Sequence, residues 1–203
     1  MVDTSIIRVN SLARVNRNSS RAGAVSLAIL PDAAKFVFRG RPPSFAPAAE
    51  TFGVELPQSA NRFNKKGKRK AYWLGPDEWL LEAIEENPTD LFSAMSQELA
   101  AYSCSLVDVS HRSDALEIRG SKSEYVLNHG CPLDLSEQQF PVGMCTRTVL
   151  GKSPILLSRT ERATFCIDVW RSFSTYAWLL LDEARQELAL DQVWTTKIHD
   201  RNI

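Results

Sequence analysis

Three neighbouring side chains, Asp108, Ser110 and His111, have the types of a hydrolytic triad: a hydroxyl nucleophile, a base for its proton and an acid to orient the base. Their spacing argues against that chemistry. On a strand, Asp108 and Ser110 share one face and His111 takes the other, so the neighbouring Ser and His side chains diverge. No Gly-x-Ser-x-Gly elbow occurs anywhere in the chain. The three histidines, His111, His129 and His199, include no pair at helical ligand spacing. Cys104, Cys131, Cys145 and Cys166 lie too far apart for a metal knuckle or a dithiol redox motif, and read as structural thiols. A dinucleotide or phosphate loop is also missing. We therefore assign no catalytic, cofactor-binding or metal residue from the sequence.

The stretch Lys65-Lys66-Gly67-Lys68-Arg69-Lys70, with Tyr72 and Trp73 beside it, has the residue types that grip phosphates and stack on bases. The whole chain, however, balances 24 basic against 24 acidic residues. Such a chain has no overall field to hold nucleic acid or an anionic membrane, so neither is an expected partner. The stretch reads instead as the solvated tip of a hairpin. No apolar run approaches the roughly 20 residues that cross a bilayer, and no secretory h-region is visible, which makes the cytoplasm the expected compartment.

The elements that must position these residues follow from periodicity. Residues 1–22 carry Arg8, Arg14, Arg17 and Arg21 without a repeating apolar face, and are expected to form a flexible arm that a partner could order. Val25–Leu30 and Lys35–Arg39 suit strands on either side of Pro31-Asp32, Arg41-Pro42-Pro43 breaks the pattern, and Thr51–Leu56 suits a third strand. Tyr72–Leu74 and Trp79–Glu82 flank a tight turn at Gly75-Pro76-Asp77. A helix follows Pro88 and the cap candidate Thr89, and Ser105–Val109 reads as a buried strand. Ala115–Ile118 is a further short strand. Ser121 and Glu124 have capping-box spacing for a second helix that Gly130 would stop in a left-handed conformation. Val149–Leu150, Ile155–Ser158 and Ala163–Trp170 read as strands, and Phe173, Tyr176, Leu179, Leu180 and Ala184 mark a last helix from about 172 to 188. This order predicts an α+β fold of two packed sandwich halves with mostly antiparallel sheet. The expected divisions are 1–22 arm, 23–110 first half, 111–194 second half and 195–203 tail.

Three stretches together resemble the gamma-subunit family of heterotetrameric sarcosine oxidase. They are Trp73-Leu74-Gly75-Pro76-Asp77-Glu78-Trp79-Leu80-Leu81; Val107-Asp108-Val109-Ser110-His111-Arg112 with Gly130-Cys131-Pro132-Leu133-Asp134-Leu135; and Arg147-Thr148 with Trp170-Arg171-Ser172-Phe173-Ser174-Thr175-Tyr176. The resemblance implies a fold like the folate-binding part of aminomethyltransferases such as the glycine-cleavage T protein. It also implies a non-catalytic structural subunit of an enzyme that oxidises sarcosine to glycine with hydrogen peroxide, its one-carbon unit captured by tetrahydrofolate. The implied partners are the alpha, beta and delta subunits, which would carry FAD, FMN, NAD, tetrahydrofolate and zinc, leaving no cofactor in this chain. An independent folate-binding or aminomethyltransferase-like enzyme is the alternative, with Asp108 or Asp77 facing the pterin. On the leading reading the places of interest are surfaces: the arginine-bearing arm and the Trp73–Trp79 turn, since tryptophans serve both cores and interface anchors.

Overall fold

The computed structural model describes Leu12 and residues 24–199, with side chains through Leu188. Among the described residues, ten strands form two antiparallel sheets, each backed by two helices, in the layer order helices, sheet, sheet, helices. The first sheet contains β2 (Ala33–Arg39), β3 (Phe63–Lys66), β4 (Arg69–Gly75), β5 (Glu78–Ile84) and β6 (Ser105–Asp108), in the order β3-β4-β5-β2-β6. The second contains β1 (Ser26–Ile29), β7 (Ser113–Arg119), β8 (Cys145–Leu150), β9 (Ser153–Glu161) and β10 (Thr164–Trp170), in the order β1-β7-β10-β9-β8. Pro31-Asp32 is therefore a crossing between sheets. β1 pairs with β7, Ser26 opposite Arg119, whereas β2 pairs with β5 and β6. The α+β, mostly antiparallel reading holds.

Alternation along the strands sorts the two faces of each sheet. Ala34, Phe36 and Phe38 of β2 and Trp79, Leu81 and Ala83 of β5 pack against α1 (Pro42–Phe52) and α2 (Pro88–Leu99) through Ala48, Phe52, Leu91 and Met95. In the second sheet, Leu116, Ile118, Phe165, Ile167 and Val169 meet α3 (Ser123–Asn128) and α4 (Arg171–His199), where Val126, Leu127, Trp178 and Leu181 are buried. Leu12 is fully buried in this second core. The rest of the expected N-terminal arm lies outside the described residues.

Several local expectations are corrected. Pro42-Pro43 opens a helix and breaks nothing: proline suits the first helical positions, where its missing N–H would have had no partner. Phe45, Ala48, Ala49 and Phe52 then supply a helical face, so no strand forms at Thr51–Leu56, and Gly53 (φ 78°) closes the helix in the left-handed region. The cap of α2 is Asn87, which accepts from the Thr89 N–H. α3 has no capping box: it starts at Ser123 with Lys122 as its N-cap, so Ser121 lies outside the capping position, and the Glu124 carboxylate accepts from Arg159. Gly130 is not left-handed; a Cβ there would lie 2.9 Å from the Gly151 nitrogen, so close packing selects glycine. Ser105–Asp108 is an edge strand, largely exposed. α4 runs eleven residues beyond Leu188, to His199.

Candidate interaction cleft

The inner faces of the two sheets meet through an unusually polar layer. Lys35 of β2 forms an ion pair with Asp168 of β10, and the Ser113 hydroxyl donates to the same carboxylate at 3.0 Å. Lys70 lies 3.7 Å from Glu82, which also accepts from the Tyr72 hydroxyl at 3.0 Å. Burial and the nearby Glu82 carboxylate both disfavour the phenolate, so the Tyr72 pKa is well above the ordinary value. Tyr72, Leu80, Cys145 and Leu156 supply the apolar part of the layer.

At one end the sheets part and leave a cleft of about 220 Å³. Leu74 and Leu80 form one wall; Pro154, Ile155, Leu156 and Trp170 form the other; Arg112, Arg147 and Asp168 complete it. Trp170 stands 49% exposed at its mouth. Arg147 is held by Glu78, which also lies 3.9 Å from Arg39. Arg112 is exposed, its backbone fixed by the Arg112 N–H to Val109 and by the Arg171 N–H donated to the Arg112 carbonyl. The guanidinium of Arg112 makes no ion pair among the described residues. All three stretches singled out in the sequence thus send side chains to one place: Leu74 and Leu80 from the first, Arg112 from the second, Arg147 and Trp170 from the third.

The other sequence candidates fall elsewhere. Ser110 donates its hydroxyl proton to Asp108 (2.6 Å), while its oxygen accepts the Lys35 N–H at 3.0 Å. The Ser110 N–H also donates to the Asp108 carboxylate at 2.8 Å, an Asx turn that the Lys35 bond fastens to β2, and His111 lies exposed beside it. Asp77 sits exposed in the β4–β5 turn, 3.4 Å from Arg39. Neither acid lines the cleft, so the folate-binding alternative is not favoured. The basic stretch is the β3–β4 hairpin, and partners quench three of its five cations: Lys68 with Glu85, Arg69 with Glu86, and Lys70 with the buried Glu82.

The tryptophan turn also moves from surface to core. Trp79 is wholly buried and donates its indole N–H to the Pro57 carbonyl at 2.8 Å, and Trp73 packs on the same core. Sequence reasoning gave no special weight to Arg159, which is buried and donates to the carbonyls of Leu135 and Phe140, both at 2.9 Å, while its guanidinium covers the Phe165 ring. A lone arginine in an apolar strand (Ile155–Leu157, then Arg159) was the available signal. The thiols of Cys145, Cys166 and Cys104 are all pushed up by burial, Cys145 to about 12, which disarms them as nucleophiles at neutral pH.

The family model described as "Sarcosine oxidase, gamma subunit family" matches residues 39–187. Among curated proteins, the sarcosine oxidase subunit gamma of Corynebacterium sp. (strain P-1) is 33% identical, with 90% of each chain covered. That of Arthrobacter sp. is 31% identical over 83% of this chain and 85% of its own. Among solved structures, a chain of the heterotetrameric sarcosine oxidase from Corynebacterium sp. U-96 in complex with pyrrole 2-carboxylate is similar with a TM-score of 0.81. It is 29% identical, with 90% of this chain and 96% of that one covered. The glycine cleavage system aminomethyltransferase T from Bartonella henselae shares the fold at a TM-score of 0.60 and 12% identity, over 78% of this chain and 45% of that one.

Proposed function

This chain belongs to the sarcosine oxidase gamma-subunit family, and we propose that it works as a non-catalytic assembly subunit of such a heterotetramer. On this reading it joins alpha, beta and delta subunits in the cytoplasm. Those partners carry the FAD, FMN, NAD, tetrahydrofolate and zinc, and the complex oxidises sarcosine to glycine and hydrogen peroxide, passing the one-carbon unit to tetrahydrofolate. The observation that carries it is the near end-to-end match in sequence with the subunit gamma of Corynebacterium sp. (strain P-1) and in fold with a chain of a heterotetrameric sarcosine oxidase. The chemistry of the side chains is consistent: the Ser110 hydroxyl bonds Asp108, and burial holds the Cys145 and Cys166 thiols protonated.

Co-expression with the three candidate partner chains tests the proposal. The expected result is one complex, stoichiometric in this chain, that carries flavin absorbance and oxidises sarcosine, while the chain alone has no such activity. A chain that stays monomeric beside an assembled, active flavoprotein sinks the proposal. Saturable tetrahydrofolate binding by the isolated chain would favour the enzyme reading instead.

A further inference from the structure

We propose that the cleft between the sheets is a socket for one carboxylate-bearing side chain of a partner subunit, flanked on the partner by an apolar or aromatic residue. This rests on the assembly reading above and names the surface that serves it. Two observations identify the occupant. The first is charge. Around the mouth, Arg147 and Arg39 are balanced by Glu78 and Asp77, and Lys35 by Asp168, whereas Arg112 has no ion-pair partner among the described residues. A guanidinium presents a planar fork suited to a carboxylate, and one surplus arginine calls for one acid. The second is shape. The cleft, at about 220 Å³, is below the roughly 300–1,000 Å³ of small-molecule sites, yet it has apolar walls and a half-exposed indole at its rim. That suits a single anchoring side chain seated against Trp170, with Val149 and Val107 as further exposed apolar positions on the two sheets.

The test is retention of the chain in the co-expressed complex, with affinity read by titrating purified chain into complex assembled without it. Arg112→Glu and Trp170→Ala should each weaken association at least about tenfold, as anchor residues do. Arg112→Lys, which keeps the charge and loses the fork, should fall between wild type and Arg112→Glu. Lys66→Glu makes the same change in charge on the distant hairpin and should leave association unchanged. All three cleft variants must retain the wild-type melting temperature, which separates lost docking from lost fold. Undiminished association of Arg112→Glu and Trp170→Ala overturns the socket while leaving the subunit reading intact. Equal weakening by Lys66→Glu also overturns it, because the effect is then one of overall charge. So does a concentration-dependent dimer of the chain alone that Arg112→Glu abolishes, since the occupant is then a second copy. If the wild-type chain itself never joins the complex, the socket and the subunit reading fall together.

Discussion

Asp168 shows how much a single atom pair can decide in this molecule. Its carboxylate is the counter-charge for Lys35, whose side chain is almost wholly buried between the sheets. Removing the acid strands an ammonium away from water, which typically costs about 3–5 kcal/mol, whereas replacing both partners by apolar residues is often nearly neutral. Asp168→Ala is therefore expected to lower stability severely, and the Lys35→Met/Asp168→Leu double variant to recover most of it, as read by urea denaturation. The thiols give a second check. At pH 8 a disulfide reagent should modify native Cys104 slowly and leave Cys131, Cys145 and Cys166 untouched, with all four reacting after denaturation. Rapid native labelling of Cys145 would contradict its burial. At this scale the sequence was partly legible. The thiols were readable as structural because they lie too far apart for a metal or redox motif, and Cys104 and Cys166 fall in largely apolar stretches. Which tryptophan faces water was not, because Trp79 and Trp170 both lie at or next to a strand end, and only the packing of helices over one face separates them.

Among the elements, the most instructive is α1. Its prolines were read as breakers because Arg41-Pro42-Pro43 gives no apolar period, yet proline at the first helical positions is a start signal once Phe45, Ala48 and Phe52 are counted as one face. Its far end is clamped by Arg69 of β4. That guanidinium holds Glu86 through two bonds of 2.7 and 2.6 Å and donates to the Phe52 carbonyl at 2.6 Å. The bonds from Arg69 hold the Glu86 pKa below its ordinary value. The stabilisation is thus fully present above pH 4.5 and is lost as pH falls through the lowered folded value. Glu86→Gln should flatten that part of the acid-unfolding profile and leave the remainder; an unchanged profile would show that the clamp contributes nothing. Hairpins with turn residues between alternating strands, at Gly75-Pro76-Asp77 and Gly151-Lys152-Ser153, were legible from local chemistry. Helix caps were less so, because Glu124 is claimed by Arg159 from a strand 35 residues away.

For the whole molecule, the two-layered antiparallel plan was visible from element order, but the assignment of strands to sheets was not. Periodicity reports which face of a strand is apolar and says nothing about which sheet it joins. β1 and β2, three residues apart, enter different sheets, and bonds such as the Cys145 N–H to the Asn61 carbonyl (3.0 Å) sew the layers together. The two sheets should consequently unfold as one unit. Variants retaining only Trp79 or only Trp178, which report on opposite cores, are expected to give coincident urea midpoints. Separated midpoints would show two independent domains.

The crossing at Pro31-Asp32 has a further consequence for the order of events at the ribosome. Every strand of the β2–β6 sheet has been made once Asp108 is synthesised, so that layer can close while translation continues. β1 was made earlier than any of them, yet its partner β7 begins only at Ser113, and the strand on the far side of β7, β10, ends at Trp170. The first of the described strands to emerge is therefore among the last to be seated, and its apolar Leu27 waits uncovered through much of the chain's birth.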